Sequence, residues 1–143
     1  MNLTDPECSL PPGRPWTDPI VWTHGLFVAN TVLWFFTGSL FCSLFLAMTT
    51  AASTMYHRSA EKDEVWGTID KILAMITLVV TLGWTLPYMS VNEGITAFML
   101  LAVALVCKEG ADRGPYVPWH VAWHFLVALG QAFLAFVYWT GVV

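Results

Sequence analysis

Five polar side chains have the types and the spacing of a metal site: Ser53, His57, Asp70, His120 and His124. Ser53 and His57 are four residues apart, as are His120 and His124, so each pair would share one face of a helix. Histidine supplies the neutral nitrogen that zinc prefers, and three protein ligands with an open fourth position form the usual catalytic zinc site. The sequence therefore predicts a Zn²⁺ ion held by His57, His120 and His124.

Asp70 and Ser53 are the predicted catalytic residues beside this ion. Zinc activates a water molecule by lowering its pKa to about 7, Asp70 could accept a proton or orient a histidine, and Ser53 could hydrogen-bond the water or a developing oxyanion. Each also has a structural explanation, because Asp70 suits a helix N-terminus and Ser53 suits close helix packing. We expect His24 to be an interfacial residue at the opposite end of the first span, outside the site.

Composition places these residues in a membrane protein. Of the 143 residues, 57% are hydrophobic and only 11% are charged, whereas soluble domains carry about 25% charged residues. The net charge of -4 does not suit nucleic-acid binding. Three cysteines without metal-type spacing do not suggest a disulfide framework, and no basic and apolar leader resembling a signal peptide opens the chain.

Residues 1–20 are predicted to form a polar arm, because five prolines interrupt this segment. It contains a glycosylation sequon at Asn2-Leu3-Thr4, although an unmodified tail is the expectation for so short a motif.

Residues 21–143 are predicted to form a single all-α, polytopic transmembrane bundle of about four spans, with room for five. The expected spans are about 21–57, 68–88, 92–107 and 118–140, since each is predominantly apolar and about 20 residues cross a bilayer. The first is longer than a crossing requires. We expect one long helix, tilted or kinked near Gly38 and Ser39; the alternative is two segments broken at that point.

This threading places the predicted site residues at one membrane surface. The first span ends, and the second and last spans begin, on the same side. The loops on that side hold five of the six basic residues, which by the positive-inside rule predicts the cytoplasmic face. Breaking the first span in two would move only the N-terminus.

The motifs resemble those of the CREST superfamily, which groups alkaline ceramidases, progestin and adipoQ receptors and hemolysin III proteins. The similarity lies in Ser53-Thr-Met-Tyr-His57, in Thr68-Ile-Asp70 and in His120-Val-Ala-Trp-His124. It implies the zinc ligands and polar residues named above, and hydrolysis of a lipid amide such as ceramide. The family usually has seven spans, so the walls of a lipid cavity would be incomplete here unless chains self-associate.

Three functions are compatible with these features. The first is a zinc-dependent hydrolase acting on a membrane lipid amide. The second is a lipid-responsive receptor or structural membrane protein in which zinc only joins helices. The third is bis-histidine haem binding, for which His57 could pair with His120 or His124.

Overall fold

The computed structural model describes residues 13–143, and all regular elements in that part of the chain are helices, which confirms the all-α prediction. The sequon at Asn2 and most of the predicted polar arm lie outside the described residues. The helices are α1 (Pro19–Trp22), α2 (His24–Phe36), α3 (Leu40–Arg58), α4 (Glu64–Thr85), α5 (Val91–Arg113) and α6 (Tyr116–Val142), with a 3₁₀ turn at Leu86–Tyr88 after α4.

The first apolar run is not the single helix that we expected, but two. The chain breaks between Thr37 and Ser39, where Gly38 has a φ of +84° that L side chains rarely adopt. Ser39 then caps α3 by accepting a hydrogen bond from the Cys42 amide. The two helices pack antiparallel, with the Ser43 hydroxyl donating to the Thr31 carbonyl at 2.9 Å. The alternative of two segments is therefore the correct one.

The later helices extend beyond the predicted spans, most clearly at α5. We expected that helix to end near residue 107, before the charged residues. It continues to Arg113, because the charges pair within the helix: Lys108 with Asp112, and Glu109 with Arg113. Such i,i+4 pairs stabilise the exposed end of a helix.

Within residues 13–143, four segments are long and apolar enough to cross a membrane: 19–36, 64–88, 91–113 and 116–142. Large apolar side chains cover their outer surfaces, including Phe36, 77% exposed, and Phe98, 69% exposed. α3 is less apolar because it carries several hydroxyl residues, but it packs between α2 and α4 and so runs the same length of the bundle. The composition and exposed surface are those of a membrane protein.

Successive long helices alternate in direction, so the bundle has two distinct ends. The core, formed by Trp34, Cys42, Leu46, Leu134 and Ala135, lies between α2, α3 and α6. The starts of α2, α4 and α6 meet the ends of α3 and α5 at one end, which we call the site end.

Polar side chains inside the bundle are mostly satisfied within their own helices. Thr77, Thr81 and Thr85 recur every four residues along α4, and all three are buried. The Thr81 and Thr85 hydroxyls each donate to the carbonyl four residues earlier. Such bonds allow hydroxyl groups to face neighbouring helices without an unpaired donor.

Candidate metal centre

All four histidines of the sequence meet at the site end of the bundle. Ring centroids of His57 lie 4.7 Å from His120, 5.2 Å from His124 and 5.3 Å from His24. One nitrogen each of His24, His57 and His124 lies within 4.8 Å of the other two, so this buried group could bind a metal ion. Two of the three predicted ligands, His57 and His124, belong to this group, but its third member is His24 and not the predicted His120. The His120 ring lies beside the group, 4.7 Å from the ring of His57 and 4.6 Å from that of His124.

His24 corrects a prediction, because we expected it at the opposite end of the first span. The break at Gly38 reverses α3, so the start of α2 and the end of α3 lie side by side. His24 is 4% exposed, and its ring centroid lies 4.9 Å from that of His124. It is part of the cluster and not an interfacial residue.

The hydrogen bonds of His24 assign its tautomer. Its Nδ1 lies 2.9 Å from the Ile20 carbonyl and 3.1 Å from the Val21 carbonyl, and carbonyls only accept. Nδ1 therefore carries the proton and Nε2 carries the lone pair. The Ser53 hydroxyl, 3.1 Å from Nε2, donates to it. A metal ion would bind through Nε2, in the place of that donor.

His124 has the same tautomer, by a longer argument. Its Nδ1 lies 2.7 Å from the Thr23 Oγ1, and that oxygen lies 2.6 Å from the Ile20 carbonyl. The single hydroxyl proton of Thr23 is used on the carbonyl, so the oxygen must accept from His124. The Nδ1 of His124 is protonated, and its Nε2 carries the lone pair.

His57 is oriented by a carboxylate. Its Nδ1 lies 3.1 Å from the Glu61 Oε1, which leaves Nε2 free to bind a metal ion. Burial alone would raise the pKa of Glu61. Hydrogen bonds from His57 and Tyr116, together with the positive charge of Arg14, outweigh it and lower this pKa to about 2. Glu61 is therefore a carboxylate at neutral pH, and an ionised carboxylate can only accept.

His120 completes the cluster from one turn before His124. The Nε2 atoms of the two residues are 3.1 Å apart. Two nitrogens bound tetrahedrally to zinc at about 2.0–2.1 Å are separated by roughly 3.3–3.4 Å. The observed separation is close to this value. His120 is less buried than the other three histidines, so it would approach a bound ion from the more exposed side of the cluster.

The two predicted catalytic residues both lie beside the cluster. Ser53 is buried, and its hydroxyl donates a hydrogen bond to His24. Asp70 is half-buried on α4 and lies near Ser53 and His57. A hydroxyl group and a carboxyl group thus accompany the histidines.

Sequence reasoning missed the residues that orient the histidines. Glu61 follows His57 with the same four-residue spacing that we used for the other pairs, so it could have been found. Thr23 is 101 residues from His124, and no local pattern links them. His24 was missed because we treated the first apolar run as one helix, which would place His24 at the end opposite His57.

The fold and the site define an all-α membrane bundle with a buried polyhistidine cluster at one end. No protein-family model, curated protein or solved structure matches the chain.

Proposed function

We propose that this chain is a membrane hydrolase that holds one zinc ion in its histidine cluster and acts on a lipid amide of the ceramide type. One observation carries the proposal: hydrogen bonds hold the Nδ1 protons of His24, His57 and His124, so that each Nε2 keeps its lone pair. Metal-ligating histidines commonly have such outer partners.

The donor set favours zinc over other common ions. Imidazole nitrogens suit Zn²⁺, whereas Mg²⁺ and Ca²⁺ prefer oxygen ligands. His57, His120 and His124 would be the ligands expected from the motifs, and His24 offers a fourth nitrogen. Bound zinc would supply a Lewis acid able to activate water.

Ser53 and Asp70 would provide the polar groups for hydrolysis. In a catalytic site that uses only His57, His120 and His124, the Ser53 hydroxyl could turn away from the Nε2 of His24, to which it donates at 3.1 Å. It could then donate to the carbonyl oxygen of an amide as negative charge develops there. Asp70 lies close enough to Ser53 and His57 to accept a proton in the same region. Polar groups at this depth in a membrane protein are costly and are commonly functional.

Membership of the CREST superfamily and a cytoplasmic site are parts of this proposal. The motif order supports the first. For the second, Arg14 also lies at the site end, since its amide donates to the Arg58 carbonyl, so all six basic residues lie at or near that end. The positive-inside rule then favours the cytoplasmic side.

Metal analysis of the purified protein tests the zinc site. We expect about one zinc per chain in the wild type and a large loss in His124→Ala. Cys107→Ala is the matched control, because it removes another zinc-binding residue type from a helix that supplies no ligand. A wild-type protein without bound zinc after growth in zinc would overturn the proposal.

Turnover of a fluorescent long-chain amide tests the hydrolase. We expect cleavage by the zinc-loaded protein and its loss on chelation. Asp70→Asn should retain zinc and lose most of the activity, since general acid–base groups contribute about 10²–10⁴-fold. Zinc binding with no turnover of any lipid amide would reject the hydrolase.

His24 favours a second candidate function, a structural zinc site. Four nitrogen ligands would close the coordination sphere, as in structural sites, whereas catalytic sites keep one position open. His24→Ala distinguishes the two candidates. A structural site predicts lost zinc affinity and lost thermal stability, and the wild type would have no turnover. A catalytic site predicts that the remaining three histidines retain zinc and activity.

A further inference from the structure

Glu61 joins three separate segments at the site end. It lies in the connection between α3 and α4, and its Oε1 accepts hydrogen bonds from the Nδ1 of His57 at 3.1 Å and from the Arg14 guanidinium at 3.2 Å. Tyr116, at the start of α6, lies near this carboxylate, and its ring centroid is 5.9 Å from the Arg14 guanidinium. An ordinary surface ion pair would not require so many partners.

The backbone around Glu61 has an unfavourable conformation. Ala60 and Glu61 have φ values of +54° and +64°, which non-glycine residues rarely adopt. The Ala60 amide donates to the His57 carbonyl, and the Glu61 amide to the Tyr56 carbonyl. This turn folds the chain back, so that the Glu61 carboxylate reaches His57. Strained backbone of this kind persists where surrounding contacts hold it, often at functional sites.

Arg14 is itself fixed from two sides. Its amide donates to the Arg58 carbonyl at 3.0 Å, and the Arg58 guanidinium donates to the Arg14 carbonyl at 2.6 Å. Its own guanidinium also pairs with Asp18 at 3.3 Å. Arg14 thus compensates the charge of Glu61, and the same oxygen has a second lone pair that accepts from His57.

We propose that Glu61 is a positioning residue of the metal centre: it fixes the tautomer and ring orientation of His57 so that Nε2 faces the bound ion. This inference rests on the zinc site proposed above. The simpler explanation is that Glu61 only pairs with Arg14 to tie the N-terminal segment to the bundle. The two explanations differ in what they predict for His57.

Glu61→Gln separates them in the metal-free protein. A glutamine can accept from Nδ1 or donate to it, so it no longer dictates the tautomer. Long-range ¹⁵N–¹H spectra should show one Nδ1-protonated form of His57 in the wild type and a mixture in Glu61→Gln. Asp18→Asn is the matched control, because it alters the other carboxylate partner of Arg14 and asparagine caps α1 equally well. It should leave His57 unchanged.

Zinc affinity provides the second measurement, by competition with a chromophoric chelator. Loss of an outer partner of a metal-ligating histidine typically costs 10–100-fold in affinity. We expect that loss in Glu61→Gln and none in Asp18→Asn. A wild-type affinity together with a single Nδ1 tautomer in Glu61→Gln would overturn the inference and leave the proposed zinc site intact.

Glu61→Asp covers the case in which Glu61→Gln does not fold. Aspartate keeps the charge for Arg14 but withdraws the carboxylate from His57 by about 1.5 Å, the length of one C–C bond. A positioning role predicts weaker zinc binding in this variant. A role limited to the ion pair predicts unchanged zinc binding. Absence of zinc from the wild type itself would overturn both the inference and the proposed function.

Discussion

Replacing Thr23 by valine would test whether its hydroxyl holds His124 in the ligand-ready tautomer. Valine has nearly the same shape, so packing is preserved while the hydroxyl is lost. The Ile20 carbonyl would still accept a hydrogen bond from His24. The Nδ1–H group of His124 would lose its acceptor, the Thr23 hydroxyl. His124 is only 3% exposed, so water reaches its ring poorly.

The expected cost follows from that unpaired donor. A buried polar group without a partner costs about 1–3 kcal/mol, so we expect Thr23→Val to lower the free energy of unfolding by about 2 kcal/mol. His124 can escape this cost by moving its proton to Nε2, but that nitrogen is then lost as a ligand. Zinc affinity should therefore fall by about 10–100-fold.

Thr50→Val is the matched control for this variant. Thr50 is also buried, but its hydroxyl only donates to the Leu46 carbonyl of its own helix at 2.7 Å. We expect a change within about 0.5 kcal/mol, because that carbonyl keeps its helical bond and such back-bonding adds little stability. Denaturation in detergent, followed by tryptophan fluorescence, and chelator competition measure both variants. Equal effects of the two substitutions on stability and zinc binding would refute the assigned tautomer.

Two further substitutions test the backbone and the interior. Ala60→Gly should raise stability by about 1 kcal/mol, because glycine adopts the positive φ at no steric cost; Ala51→Gly, on an exposed helical face, should lower it by about as much. The Oε1 of Gln131 is buried and has no partner among the described residues, whereas its Nε2 donates to Thr81. In Gln131→Leu, the Thr81 hydroxyl keeps its own hydrogen bond to the Thr77 carbonyl, so the variant should retain or raise the unfolding midpoint. A clear drop in the midpoint would show that Oε1 has a partner such as buried water.

The fold class could be predicted because the apolar runs are long and the charges fall between them. The sequence could not decide between one kinked helix and two helices separated at Gly38. Hydrophobic residues continue on both sides of Gly38, and a hydropathy pattern carries no information on the backbone angle φ. That one backbone angle had a large consequence. It reversed α3 relative to α2 and brought His24, which we had excluded, into the cluster.

The site was partly predictable for a related reason. Helical spacing and alternating spans placed His57, His120 and His124 together without any knowledge of tertiary packing. The tautomers depend on partners such as Thr23, and those contacts exist only once α1 and α6 are packed side by side. Sequence spacing thus predicted that three of the histidines lie together, whereas the part played by His24 and the proton positions on the rings required the structure.

A zinc ion in this cluster would join helices that the lipid environment does not hold together strongly. Apolar burial drives helix association weakly inside a bilayer, because lipid tails are as apolar as the side chains. The histidines come from α2, α3 and α6, so one bound ion would link three helices and stabilise the folded bundle by mass action. That stabilisation is expected whether the zinc is structural or catalytic. Turnover, and its loss in Asp70→Asn with zinc retained, is therefore the result that separates the two functions.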